Sequence, residues 1–410
     1  MKLGQIALRN ISRNIRRTIL SVSAIAVAAM AFVFLFSMLA GMKADMQYNL
    51  QTFYTGEIRI RNSEFEKYQH LNPLHLGVKK SWELAEELAA IEGIAAVSPR
   101  IDFGTAIYKD GVNYKARGLG VDFSREEEFQ GISSFLVEGR LPEMGENEAL
   151  VSKGLAEEMG LWTGDKFTLL SQTAGRGLNA ISFTITGISG YELSELNRGF
   201  FQAPLDRIQY FLRMDEMASE VLLKTKAGYK LDQLIPEVRS VTEKVAGEEM
   251  DITRWTDIST IYSLIDLADA IYSVMAAVFF ILGSTVIINT MMMVVYERRR
   301  EIGTIAAMGM EGSEIVKLFF LEGFYIAVIG SALGVLVGIG ITLLTGATGI
   351  DFGQAMDAVD MEISDVLYPV LTLKSTIFVF FYSTLVASLV SLLPSRQSAK
   401  IKPIEALRSI

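Results

Sequence analysis

Four stretches of the chain run without a single Asp, Glu, Lys or Arg: Thr18–Met42, Ala270–Tyr296, Gly323–Ile350 and Ser375–Ser395. Each is dense in Ile, Val, Leu, Phe, Ala and Met, and each reaches the ~20 residues a helix needs to cross ~30 Å of hydrocarbon. A soluble core helix does not need apolar sequence of that length, so four transmembrane helices are predicted, at 18–42, 270–296, 314–345 and 374–395. Between the first two, the pattern changes to short alternations. Glu57–Arg61 reads as a strand. Ser81 reads as the N-cap of a helix that stops at Gly93. Strands follow at Ala95–Tyr108, Val112–Val121 and Ala149–Val151, then a helix at Ser152–Met159. Lys166–Leu170 and Ile181–Gly187 make a hairpin with a long tip holding Gly175 and Gly177. Strand Glu220–Lys224, helix Leu231–Val245 and strand Asp251–Trp255 close the segment. The expected fold is membrane α-helical with a large α+β domain at 43–266. Parts 43–105 and 202–256 form one subdomain, 106–201 is inserted in it, and 257–269 leads back to the membrane.

At the membrane edge, Met42, Met46, Asn49, Leu50 and Phe53 recur at helical spacing beyond the first span. After the candidate caps Thr256 and Asp257, Ile258, Ile261, Tyr262, Ile265 and Ala268 do the same before the second. Two readings fit: a two-helix stalk carrying the external domain, or ordinary helices packed against it. Met42, Met46, Leu50, Ile261, Tyr262 and Ile265 accordingly either line a path for acyl chains or pack the two helices together.

Charge sets the orientation. Lys2, Arg9, Arg13, Arg16 and Arg17 precede the first span; Arg298, Arg299, Arg300 and Lys317 lie between the second and third; Arg396, Lys400, Lys402 and Arg408 follow the fourth. The loop at 346–373 instead carries Asp351, Asp357, Asp360, Glu362 and Asp365. By the positive-inside rule, 1–17, 297–313 and 396–410 are cytoplasmic and 43–266 is external. That external segment holds 24 bases against 35 acids, enough to set the net charge of −9. Such a balance argues against nucleic acid or anionic lipid as its partner. The first span is about twice as long as a signal-peptide core and reads as a retained helix. With no Cys, the external domain must be stable through its own core.

Catalytic chemistry is missing. The only histidines are His70 and His75, and no HExxH, GxSxG or P-loop occurs, so no metal, cofactor or ATP site is expected in this chain. The spans lack a charged residue at mid-depth, which speaks against an ion-coupled carrier. What the membrane segments do carry is a small-residue ladder, Gly330, Gly334 and Gly338, that lets another helix approach closely. Ser383, Ala387 and Ser391 repeat the spacing. The cytoplasmic link begins at Glu297 and continues through Arg300, Glu301, Ile302, Gly303, Ala306 and Ala307 to Gly309. It reads as a short, partly apolar helix broken at Gly309 and Gly312, with Ser313 capping the next one. Either it rests on the bilayer surface or it plugs a soluble partner's groove.

Glu297–Gly309 with Glu314–Gly338 resembles the signature of the FtsX/MacB-type ABC permeases, as do the tail Leu393–Arg408 and the opening Ala7–Asn14. Gly118-Leu119-Gly120-Val121-Asp122, Glu138–Pro142 and Gly154-Leu155-Ala156 with Gly160 and Gly164-Asp165 resemble the MacB-type periplasmic core, nearest to the lipoprotein-releasing (LolC/LolE-like) permeases. The resemblance implies porter-like parts at 43–105 and 202–256, and a second permease, identical or homologous. It also implies a separate cytoplasmic ATPase dimer, with ATP and Mg bound there, that receives 297–313 as a coupling helix. It further implies a multi-pass inner-membrane location, contact with membrane lipids, and lipoprotein-like substrates or a periplasmic partner. The tip Ser171–Ala180 is short beside that family's chaperone-binding hairpin, so chaperone binding is not carried over.

Overall fold

The computed structural model describes residues 2–13, 15–65, 67–68, 73–109, 111–191, 193–247, 249–258, 308–352 and 366–398, with isolated helical positions between Leu267 and Thr304. The chain divides into two compact units. One is Met1–Ala44, Asp266–Asp351 and Leu367–Ile410; the other is Asp45–Ile265 with Phe352–Val366.

In the first unit, α1 (Lys2–Arg13) precedes α2 (Ile15–Asn49), which is unbroken over 35 residues. Three described helices are long and apolar enough to cross a membrane: α2, the helix Gly312–Thr348 and the helix beginning at Leu373. The expected second span, 270–296, lies outside the described residues apart from isolated helical positions.

The second unit is built on one ten-stranded sheet. Its elements in chain order are β1 (Ile58–Asn62), α3 (Ser81–Ala89), β2 (Ile94–Lys109), β3 (Val112–Val121), α4 (Phe123–Gln130), β4 (Leu136–Gly139), β5 (Glu148–Ser152), α5 (Lys153–Met159), β6 (Lys166–Gln172), β7 (Leu178–Ser189), α6 (Ser194–Asn197), β8 (Phe200–Pro204), α7 (Leu205–Leu212), β9 (Glu220–Thr225), α8 (Leu231–Ala246) and β10 (Met250–Arg254). The strand order is β10-β1-β9-β2-β3-β8-β5-β7-β4, and β6 bridges β2 and β7. Among the described strands of this sheet, β3·β8 and β5·β7 pair in parallel. The expected junction at 105/106 falls inside β2, a 16-residue strand that pairs with β9 in its first half and β6 in its second. Helices α3 and α8 cover the β1–β9–β10 end, burying Leu84, Leu88, Leu234 and Val238 on Ile58, Ile60, Val221 and Leu223. Farther along the sheet, Phe103, Phe167, Phe183, Phe201 and Phe211 fill a second core with edge-on ring contacts.

Local chemistry departs from the sequence expectation in three places. Lys80, at φ 50°, occupies the N-cap of α3, and Ser81 is its first helical residue. The Ser81 hydroxyl donates instead to the Glu216 carbonyl at 2.8 Å, a tertiary partner that outcompetes the local cap. The β6–β7 ladder extends to Gln172 opposite Leu178, so the tip is 173–177, half the expected length. The hydroxyl of Thr173 closes it by accepting from the Gly177 N–H. Finally, α9 (Gly312–Thr348) begins one residue before the expected Ser313 cap. Glu311 is its N-cap residue; its backbone carbonyl accepts from the N–H of Glu314 and Ile315, and no side chain caps the helix where Ser313 was expected to.

The last described helix, α10 (Leu373–Ser398), packs on α9. Gly330, Gly334 and Gly338 all face α2. A Cβ at Gly334 would sit 2.3 Å from the Ala26 carbonyl oxygen, and one at Gly338 would lie 2.8 Å from Val33 Cβ. In lipid, apolar burial gives no advantage to helix contact, so close backbone approach supplies the attraction. On the other side of α9, Gly323 meets Ser391 of α10, and Ala387 joins Ile25, Ile326 and Ala327 in one cluster. Leu336, Leu344, Phe381 and Leu385 point outward, each more than half exposed.

Gly334→Val should therefore separate α2 from α9. The full chain in detergent should melt at a lower temperature, whereas Gly340→Val, which meets open space, should not shift it. Glu143 and Ser313 are exposed and the chain has no Cys background. If the charge asymmetry sets the orientation, an impermeant thiol reagent reaches Glu143→Cys from outside the cytoplasmic membrane and Ser313→Cys only after lysis. The reverse pattern would overturn the orientation.

Candidate transmission joint

Beyond Asn49 the helix does not stop but widens into a π-helical stretch, Leu50–Thr55. Gly56 ends it at φ 62°, ψ −173°, a conformation essentially confined to glycine. The last carbonyls of any helix lack intrahelical donors and must find them elsewhere. Here the donor is Arg100 of β2. Its Nη1 bonds the Phe53 carbonyl and its Nη2 the Thr52 carbonyl, each at 3.1 Å.

Arg100 is 1% exposed, so its charge needs a partner. Glu126 of α4, at 0%, supplies it: Nε meets Oε1 at 2.7 Å and Nη2 meets Oε2 at 2.9 Å. The remaining carboxylate capacity is filled by the Ser98 hydroxyl and the Gln130 amide. The guanidinium also lies over the Phe129 ring at 4.9 Å. The pair meets because Ser98 and Arg100 share the face of β2 that α4 covers. In turn α4 is set by Asp122, which caps it by accepting from the N–H of Ser124 and Arg125.

Side chains reinforce the grip. Phe53 enters an aromatic cluster, 5.7 Å from both Phe135 and Tyr191, and Tyr191 is 5.8 Å from Phe200. Tyr191 donates to Gln202 at 2.9 Å, and burial pushes its phenol well above the usual range, so it stays neutral. Arg117, held by Asp102, lies over Tyr54 at 5.0 Å. Met46 and Leu50 are buried with Tyr54 and Trp255. The end of the first span's helix is thus fixed by ion pair, carbonyl capping and ring insertion together.

Of the expected stalk residues, Met46 is 7% and Leu50 0% exposed, and Met42 is half-buried. Ile261, Tyr262 and Ile265 lie outside the described residues. So do Glu297, Arg300, Glu301, Ile302, Gly303, Ala306 and Ala307 of the cytoplasmic link. Gly309 is described: it sits at φ 92° in an exposed turn, after Met308 has bonded back to the Thr304 carbonyl. The ladder Gly330, Gly334 and Gly338 faces α2 as described above. Arg100 and Glu126 were not anticipated. The hint in the sequence is Arg100 standing among the small and apolar residues of Ala95–Ile101.

Comparison with known proteins follows this geometry. The MacB-like periplasmic core domain matches residues 18–241, over half of the chain, and the FtsX-like permease C-terminal domain matches 273–403. This chain is an ABC transporter permease of the FtsX/MacB family. The lipoprotein-releasing system transmembrane protein LolC of Xylella fastidiosa is 23% identical over 362 residues, 82% of each chain. A macrolide export ATP-binding/permease protein MacB of Aeromonas hydrophila is 33% identical over 135 residues, 33% of this permease and 18% of that chain. The crystal structure of the periplasmic region of MacB from Actinobacillus actinomycetemcomitans aligns at a TM-score of 0.39 and 12% identity, covering 54% of this permease and 97% of that chain.

Removing one member of a buried ion pair costs ~3–5 kcal/mol. Arg100→Met should lower the urea midpoint at which the external domain of the solubilised permease becomes trypsin-sensitive. Arg100→Met/Glu126→Leu should recover part of that loss but not all, because the Thr52 and Phe53 carbonyls stay unpaired. Equal midpoints for the single and double variants would show that the charge pair does not hold the joint.

Proposed function

We propose that this permease moves or extracts lipoproteins, or similarly amphipathic substrates, at the outer face of the cytoplasmic membrane, driven from the cytoplasm rather than by a pore. The observation that carries this reading is the joint: the helix of the first apolar span ends in a clasp on the external sheet. Such an arrangement suits transmission of force better than conduction. ATP and Mg would be bound by a separate ATPase dimer, because this chain has no P-loop in its sequence. A second permease, identical or homologous, would complete the assembly, and membrane lipids would surround it. The cytoplasmic link 297–313 would seat in the ATPase, with Ile302, Gly303, Ala306, Ala307 and Gly309 forming its small, partly apolar face between the charges of Glu297, Arg300 and Glu301. Similarity to LolC over most of both chains favours a lipid-anchored substrate over a macrolide.

Two variants separate the steps. Ala307→Trp should overpack the contact with the ATPase, a change that commonly costs ~1–3 kcal/mol. The ATPase should then no longer co-purify, while the permease still inserts. Arg100→Met/Glu126→Leu should keep the ATPase bound and ATP turning over, yet release no acylated lipoprotein from proteoliposomes. Lipoprotein release at the wild-type rate by the double variant would refute transmission through the joint. Release of an antimicrobial peptide or lipid but not lipoprotein by the wild type would refute the substrate assignment. Activation of an external hydrolase with no release of any substrate would identify a scaffold of the FtsX type instead.

A further inference from the structure

Away from the joint, the external domain holds an open cleft of about 860 Å³, a volume that accepts a small organic ligand. Its floor is the outward face of β2, β3, β6 and β7. Residues paired across an antiparallel ladder share a face, so the register that sets Ala106 against both Lys115 and Leu170 puts a cation and an aliphatic side chain on one surface. Leu178, opposite Gln172 at the end of the β6–β7 ladder, is 79% exposed and Leu170 42%. Leu74 and Leu76 line the cleft from the loop before α3, and the 173–177 tip brings in Arg176.

The charge of this cleft runs against that of its domain. Where the external segment has 24 bases and 35 acids, the described cleft lining gathers Lys115, Arg117, Arg176, Arg198 and His75, with Glu64 as its one carboxylate. Arg117 is neutralised by Asp102. Lys115 and Arg176 are exposed, and among the described residues neither has a carboxylate within ion-pair distance. A basic spot in an acidic domain concentrates anions locally. The exposed leucines beside it would gain from being covered by an alkyl chain, at roughly 25 cal/mol per Å² removed from water.

We propose that this cleft binds an amphipathic anion, its phosphate or carboxylate head held by Lys115 and Arg176 and its alkyl chain laid over Leu170 and Leu178. The assignment deepens the amphipathic-substrate reading and rests on it for its biological sense. Its test uses neither ATP nor the ATPase, so the two can fail separately. Octyl phosphate, kept below its micellar concentration, is titrated by calorimetry into the full-length permease in phosphatidylcholine nanodiscs, with empty discs subtracted. Saturable binding is expected. Lys115→Glu/Arg176→Glu should weaken it at least tenfold, and Leu178→Asp by a similar factor. Inorganic phosphate and octyltrimethylammonium should each bind at least tenfold more weakly than octyl phosphate.

Both cations are exposed, so the double variant should melt as the wild type does; Lys115→Gln/Arg176→Gln serves if it does not. Unchanged affinity in a folded charge variant overturns the proposal, as does equal binding of octyltrimethylammonium. Inorganic phosphate binding as tightly as octyl phosphate would reduce the cleft to a site for free anions and overturn the amphipath assignment.

Discussion

The unit built on the ten-stranded sheet turns on one buried charge pair. An arginine at 1% exposure and a glutamate at 0% are a poor way to gain stability, since well-packed apolar residues of the same volume often do as well or better. What the pair supplies is position. Arg100 has hydrogen bonds left over after Glu126, and they go to the Thr52 and Phe53 carbonyls inside the π-helical stretch. Ser98 and Gln130 fill the rest of the carboxylate. Strand β2, helix α4 and the end of the first span's helix are therefore tied through one guanidinium. None of the three can shift without leaving a buried polar group unpaired, a cost of ~1–3 kcal/mol or more for each.

The membrane unit is held by a different rule. The external domain buries leucine, isoleucine and phenylalanine that water would otherwise surround, and area removed from water is its main source of stability. Lipid offers no such gain. The contact of α2 with α9 instead depends on side chains that are missing, at Gly330, Gly334 and Gly338. The same glycine enrichment that weakens a helix in water here lets two helices touch along several turns.

The sequence showed most where one physical signal dominates locally. Uninterrupted apolar length marked three described helices, strict alternation at Glu57–Arg61 marked β1 (Ile58–Asn62), and β3 has the expected bounds Val112–Val121. Tertiary partners overrode local preference elsewhere. Ser81 has the chemistry of a cap but spends its hydroxyl on Glu216. Helix α4, Phe-Ser-Arg-Glu-Glu-Glu-Phe-Gln, carries too few apolar residues for a period to show, and its key residue, Glu126, looks like any surface acid. Strand β8 is five residues long and ends in Pro204. Arg100 and Glu126 are 26 residues apart, and nothing in their local sequence pairs them. The cleft was equally hidden, because it is assembled by hairpin register and by a loop before α3.

The position of β1 has a consequence for biogenesis. Its two neighbours are β9 and β10, so the first strand to be made waits for the last two. Its pairing Arg59–Thr253 spans nearly the whole external segment. Such distant partners make nucleation slow, and they also impose a timetable. Synthesis of the segment must be almost complete before the sheet can close, and until then the apolar strands made early lack their native cover. Until β9 and β10 are made, β1 has neither of its native neighbours, so it stays unpaired through nearly all of the segment's synthesis.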